Sequence, residues 1–181
     1  MSLISTYTGR SISLYHPRPE DVEFIDIAHA LSMQCRYNGH CGRFYSVAEH
    51  CCLLAQYFME RGETDNARWA LIHDAAEAYT GDVIRPIKLT TDLLAKAERG
   101  LLAVIAAKLD LEGDEPEEVR LADRRILLDE GYSLFPDGVA DSWGLGLTPL
   151  GVQIGRLSQR EARLLYLDLL AELFPDTMKE S

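Results

Sequence analysis

At 181 residues the chain is long enough for one domain with a sizeable core. Its 47% hydrophobic content excludes extended disorder, and a formal net charge of −11 excludes sequence-independent binding to nucleic-acid polymers. No apolar run reaches the ~18 residues needed to span a bilayer, and Met1 to Arg10 lack the basic-then-apolar plan of a secretory signal. A cytoplasmic protein without membrane attachment is therefore expected.

Helical signals follow one another along the chain. Pro19-Glu20-Asp21 opens a helix to about Met33, with Ile25, Ala28, Leu31 and Ser32 on one stripe. Gln34 to Tyr45, containing Asn38-Gly39 and Gly42, reads as a loop. Ser46-Val47-Ala48-Glu49 has the form of a capping box, so a second helix runs from there to about Arg61, with Gly62 as its stop. A third begins near Thr64 or Asp65 and carries Trp69, Leu71, Ile72, His73 and Asp74. It is expected to end near Tyr79, because Thr80-Gly81-Asp82 is turn chemistry and Pro86 follows.

A fourth helix, rich in Leu and Ala, starts at Thr91-Asp92 and reaches about Leu109; Gly100 inside it suggests close packing. Asp114, Pro116 and Glu117 start a fifth, which holds Val119, Leu121, Ala122, Ile126 and Leu127 and carries Asp123. Pro136 to Gly155 is a Gly-rich stretch containing Trp143, Leu145, Leu147 and Leu150. It is expected to cover its own core, a pocket or a subunit contact. Ser158-Gln159-Arg160-Glu161 is a second capping box, opening a terminal helix to about Phe174. With no strand-rich region or repeat, the expected fold class is all-α, a single compact bundle of about five to seven helices. The four cysteines (Cys35, Cys41, Cys51 and Cys52) show no CxxC spacing and read as reduced thiols filling space, with a Cys ligand set as the alternative.

His73 and Asp74 are adjacent ligand-type residues in an apolar helical run, about 100° apart around a helix. His50 upstream and Asp123 downstream lie on different predicted helices. Each has an ordinary alternative: a satisfied cap-region histidine, or an aspartate paired with Arg120 or Arg124. Unpaired charge among apolar residues is expensive, however, and one shared cation accounts for all four at once. Two imidazoles and two carboxylates suit a hard-to-borderline divalent metal with open coordination positions.

The order His, His-Asp, Asp on successive helices resembles the HD-domain metal-dependent phosphohydrolases. Ser46-Val47-Ala48-Glu49-His50, then His73-Asp74-Ala75-Ala76-Glu77-Ala78-Tyr79-Thr80-Gly81-Asp82, then Ala122-Asp123, are similar to its small branch of 5′-deoxynucleotidases and deoxynucleotide phosphohydrolases. The similarity spans roughly Ala28 to Glu130. It implies a single HD domain over residues 1–181, with a metal-binding core at about 28–130 and the 136–157 loop and 158–174 helix packed on it. It also implies one divalent transition metal (Mn, Co, Zn, Fe or Ni) on His50, His73, Asp74 and Asp123, with Glu77 beside the attacking water. Spacing agrees, since Glu77 lies one helical turn beyond Asp74.

Asp82 either holds the leaving group or sugar, or merely caps its turn. For phosphate the chain offers Arg36, Arg43, Lys88 and Arg120. Cys35-Arg36-Tyr37 resembles the family's Arg-plus-aromatic element, with Tyr37 where Trp is common. His40 faces the phosphate or is a plain loop histidine. The expected reaction is hydrolysis of the 5′-phosphate ester of (deoxy)nucleoside monophosphates. Release of triphosphate from a deoxynucleoside triphosphate is the alternative within the class; outside it stands a non-catalytic nucleotide- or metal-binding helical module. Trp143 and its Leu-rich loop suggest a homo-oligomer.

Overall fold

The computed structural model describes residues 3–88 and 92–176, and the chain is mostly helical. Strands β1 (Leu3–Ser5) and β2 (Ser11–Ser13) form an antiparallel hairpin that the helical periodicity did not foretell. Its turn is closed by Gly9 at φ 86° and tied to the body by Thr8, whose backbone N–H and hydroxyl both donate to Asp26. Then follow α1 (Phe24–Met33), α2 (Val47–Met59), α3 (Thr64–Ile72) and the one-turn helices α4 (Glu77–Thr80) and α5 (Arg85–Lys88). The long helices α6 (Asp92–Lys108) and α7 (Glu117–Leu134), short α8 (Val139–Ser142) and α9 (Gln159–Leu173) complete the order. Among the described residues, no helix is long and apolar enough to cross a membrane.

Helix α2 is the hub, packed against α1, α3, α7 and α9. Val47, Ala48, Cys51, Cys52, Leu54 and Ala55 are all fully buried, so small side chains and compact thiols let neighbouring helices approach from several sides. Cys51 and Cys52 thus fill space in the core.

Several boundaries differ from the sequence expectation. Pro19–Asp21 forms a separate 3-10 turn, and extended Val22 and Glu23 precede α1, which lets Val22 and Phe24 both reach the core. The buried stripe of α1 is Phe24, Ile27, Ala28 and Leu31; Ile25 is only half-buried. Ser46 caps α2 by accepting from the Glu49 N–H, but the Glu49 carboxylate is buried elsewhere, so the reciprocal half of the box is missing. At Ser158 both halves are present. Pro116 is the N-cap of α7 and no side chain caps it. Thr91 lies outside the described residues. A Cβ on Gly100 would meet nothing within 4 Å, so that glycine marks no close approach. Gly131 does, because a Cβ there would sit 2.6 Å from the Ala140 Cβ and 2.8 Å from the Trp143 ring.

The Gly-rich stretch lies over the protein's own surface. Arg125 donates to the carbonyls of Thr148 and Pro149, and Asp129 accepts from the N–H groups of Leu150 and Gly151. These anchors run along α7, the helix that also carries Asp123.

Candidate metal centre

The third predicted helix stops at Ile72, before the His-Asp pair. His73 to Ala76 form a tighter turn, in which the Ala75 N–H bonds the Ile72 carbonyl and the Glu77 N–H bonds the Asp74 carbonyl. His73 Nδ1–H donates to the Ala70 carbonyl at 2.8 Å, which fixes the tautomer and leaves the Nε2 lone pair pointing inward. His50, fully buried in the first turn of α2, donates from Nδ1 to Glu130 Oε1 at 2.6 Å and turns its own Nε2 the same way.

These two lone pairs converge 3.3 Å apart. Asp74 Oδ2 lies 3.3 Å from His73 Nε2 and 3.8 Å from His50 Nε2, and Asp123 Oδ1 from α7 lies 3.2 Å from His50 Nε2 and 3.8 Å from His73 Nε2. Metal–ligand bonds of about 2.0–2.2 Å place neighbouring ligands roughly 3–3.6 Å apart, so His50, His73 and Asp74 have the spacing of one cation's ligand set, with Asp123 against both imidazoles. Two facing imidazole lone pairs need a proton or a cation between them. Without a metal, the proton serves. Burial opposes charge on His73, but Asp74 outweighs it and raises the imidazole well above its ordinary range. Asp74 is correspondingly held low: burial acts against ionisation, but His73 and then His50 and Arg36 overcome it. The donor set therefore fits a divalent metal.

Glu130 is the residue that inspection of the sequence missed. It is fully buried and gathers His50 Nδ1, the hydroxyls of Tyr45 (3.0 Å) and Tyr37, and the Arg36 Nε at 3.5 Å. Burial pushes its carboxyl up, yet Arg36 and His50 more than compensate and hold it down to about 2. The available signal was spacing: Glu130 lies two turns beyond Asp123 on the same face of α7, a carboxylate among Ile126, Leu128 and Leu134.

Beside the cluster opens a cleft of about 210 Å³, lined by His73, Asp74, Glu77, Lys88, Glu98 and Arg99 among others. Lys88 donates to Glu77 at 2.6 Å and reaches Glu98 at 3.1 Å. Burial, then the Asp74 charge, lifts Glu77 to about 8 against the pull of Lys88. Gln34 clamps the approach, donating to the Glu77 carbonyl and accepting from the Asp82 N–H. Asp82 is half-buried at this edge, and burial raises its carboxyl.

The remaining expected contacts divide. Arg36 is buried and points its Nη1 at Asp74, 3.4 Å away. Tyr37 sits behind it rather than in open space. Its hydroxyl is held by Glu130, and its ring packs on Phe135 and Trp143. Tyr37 also has φ 59°, a backbone conformation costly for a bulky residue. His40 is exposed on the neighbouring turn. Arg120 is not brought to the cluster: its half-exposed guanidinium pairs with Glu117 and Glu115 on its own side of α7. One turn of helix aligned its backbone with Asp123, but local acids captured its long side chain. Glu98 and Arg99, neither singled out in the sequence, do line the cleft.

No protein-family model matches the chain. It is 43% identical over 86 residues to an uncharacterized protein of Rhodobacter capsulatus, a match covering 45% of this chain and 44% of that one. To the uncharacterized protein YfdR of Escherichia coli K12 it is 35% identical over 134 residues, covering 74% of this chain and 73% of YfdR. With that identity sustained over most of both sequences, the chain belongs to the same family as YfdR.

Proposed function

We propose that this chain is an HD-domain metal-dependent phosphohydrolase that cleaves the 5′-phosphate ester of (deoxy)nucleoside monophosphates to nucleoside and phosphate. One observation carries the proposal. Two imidazoles with inward lone pairs and two carboxylates meet at the end of a cleft that also holds Glu77 and Lys88.

A divalent cation on His50, His73, Asp74 and Asp123 supplies the Lewis acidity that makes water a nucleophile at neutral pH and screens phosphate charge. The chain's own groups do the rest. Glu77, buried and carrying a proton readily, accepts a proton from the attacking water or returns one to the leaving oxygen. Lys88 and Arg36 bind the non-bridging oxygens, Lys88 exchanging its Glu77 and Glu98 partners for the phosphate. Gln34 holds the Glu77 and Asp82 backbone in place while this happens.

The cleft favours a monophosphate. Among the described residues lining it, Lys88 and Arg99 are outnumbered by Asp74, Glu77 and Glu98, a poor cradle for a triphosphate.

The test is incubation with dAMP and with dATP, each with Mn²⁺ or Co²⁺, followed by resolution of the products. Deoxyadenosine and phosphate are expected from dAMP, and loss of both turnover and bound metal in His73→Ala or Asp74→Ala. Triphosphate release from dATP would transfer the assignment to that reaction. Unchanged metal content and phosphate release in the two variants would overturn it.

A further inference from the structure

We propose that Cys35 and Cys41 are a redox modification site, the two thiols closing to a reversible intramolecular disulfide around the turn that carries Arg36. This inference rests on a separate cluster and does not depend on the hydrolase assignment.

The two sulfurs lie 3.6 Å apart, in contact but unbonded. The backbone holds them there. Cys35 is bridged to Ser46, the Arg36 N–H bonds the Tyr45 carbonyl, and the Gly42 N–H beyond Cys41 bonds the Leu134 carbonyl at 2.7 Å. Between these clamps the chain reverses through Tyr37, Asn38 and Gly39, all at positive φ. A disulfide needs about 2.05 Å between sulfurs, so closure asks for an approach of roughly 1.6 Å from side chains already facing each other. Both thiols are partly exposed, whereas Cys51 and Cys52 are shut inside α2.

The two sulfurs have distinct roles. Cys41 donates its S–H to the Arg43 carbonyl at 3.0 Å, and burial followed by the neighbouring Cys35 thiol raises its pKa. Cys41 is therefore the resolving thiol and Cys35 the attacking one. With a hydroperoxide as oxidant, the Cys35 thiolate attacks one peroxide oxygen. The O–O bond breaks, hydroxide leaves and takes a proton to form water, and Cys35 becomes a sulfenic acid. The Cys41 sulfur then bonds to the Cys35 sulfur and displaces the sulfenic hydroxyl, which leaves as water with the Cys41 proton. Two thiols have lost two electrons, and one peroxide has gained them. A dithiol reductant reverses the bond by exchange. The closed ring contains Arg36, whose guanidinium lies 3.4 Å from Asp74, so the modification acts on a residue of the cluster.

The experiment treats the whole purified protein with equimolar hydrogen peroxide, unfolds it in denaturant, blocks remaining thiols by alkylation and measures intact and tryptic masses. Expected are a mass loss of about 2 Da, loss of two of the four alkylatable thiols, and full recovery of both with dithiothreitol. Trypsin cuts after Arg36, so Cys35 and Cys41 fall in different peptides that the disulfide alone would join. Cys35→Ser and Cys41→Ser should each abolish that joined peptide. A cross-link through Cys51 or Cys52, a cross-link between chains, or oxygen addition without a cross-link would overturn the proposal.

Discussion

Replacing Glu130 by Gln preserves shape and removes one buried negative charge. In the folded protein this carboxyl titrates at about 2 against an ordinary 4.5, so its ionisation contributes about 3 kcal/mol of stability at neutral pH. Because the folded value is the lower one, that contribution is complete above pH 4.5 and is lost as pH falls towards 2. Losing it also leaves the Arg36 guanidinium without its Glu130 charge partner, within the roughly 3–5 kcal/mol expected when one partner of a buried charge pair is removed. Urea unfolding of metal-free protein at pH 7 should therefore show Glu130→Gln weaker by about 3 kcal/mol. The gap should shrink as both proteins are titrated from pH 4.5 to pH 2. Glu130 also fixes which nitrogen of His50 faces the cluster, so titration with Mn²⁺ or Co²⁺ should show affinity weakened about 10–100-fold. A stability loss below about 1 kcal/mol that does not vary with pH would refute the assigned charge network. Unchanged metal affinity would refute the tautomer role separately.

Two further outcomes follow from the geometry. Gly131→Ala places a methyl into Ala140 and Trp143 and should cost about 1–3 kcal/mol in thermal or urea unfolding. A neutral result would mean that α8 yields freely. Arg120→Ala removes a half-exposed guanidinium paired with Glu117 and Glu115, so the urea midpoint should stay close to that of the parent. Its dAMP turnover should match the parent, and a tenfold loss would return Arg120 to the substrate path.

Local chemistry was legible where local chemistry decides. Ser46 and Ser158 mark true helix starts because a hydroxyl satisfies an orphan N–H within three residues. The His73-Asp74 pair stood out because ligand-type side chains are rare in apolar runs, yet the sequence placed it inside a continuous helix. In the tight turn after Ile72 the His73 ring bonds the Ala70 carbonyl, a contact that helical periodicity does not encode.

By itself, the sequence determined a mostly helical chain, through its 3.6-residue repeat, and residue types able to hold one cation, through side-chain chemistry. Tertiary structure decided which of those side chains meet. It brought Glu130 under His50 from 80 residues away and turned the Tyr37 hydroxyl inward to the same carboxylate. It also set Lys88 between Glu77 and Glu98 and left Arg120 outside. Long, flexible side chains take the partner that packing brings nearest, and packing is a property of the whole fold.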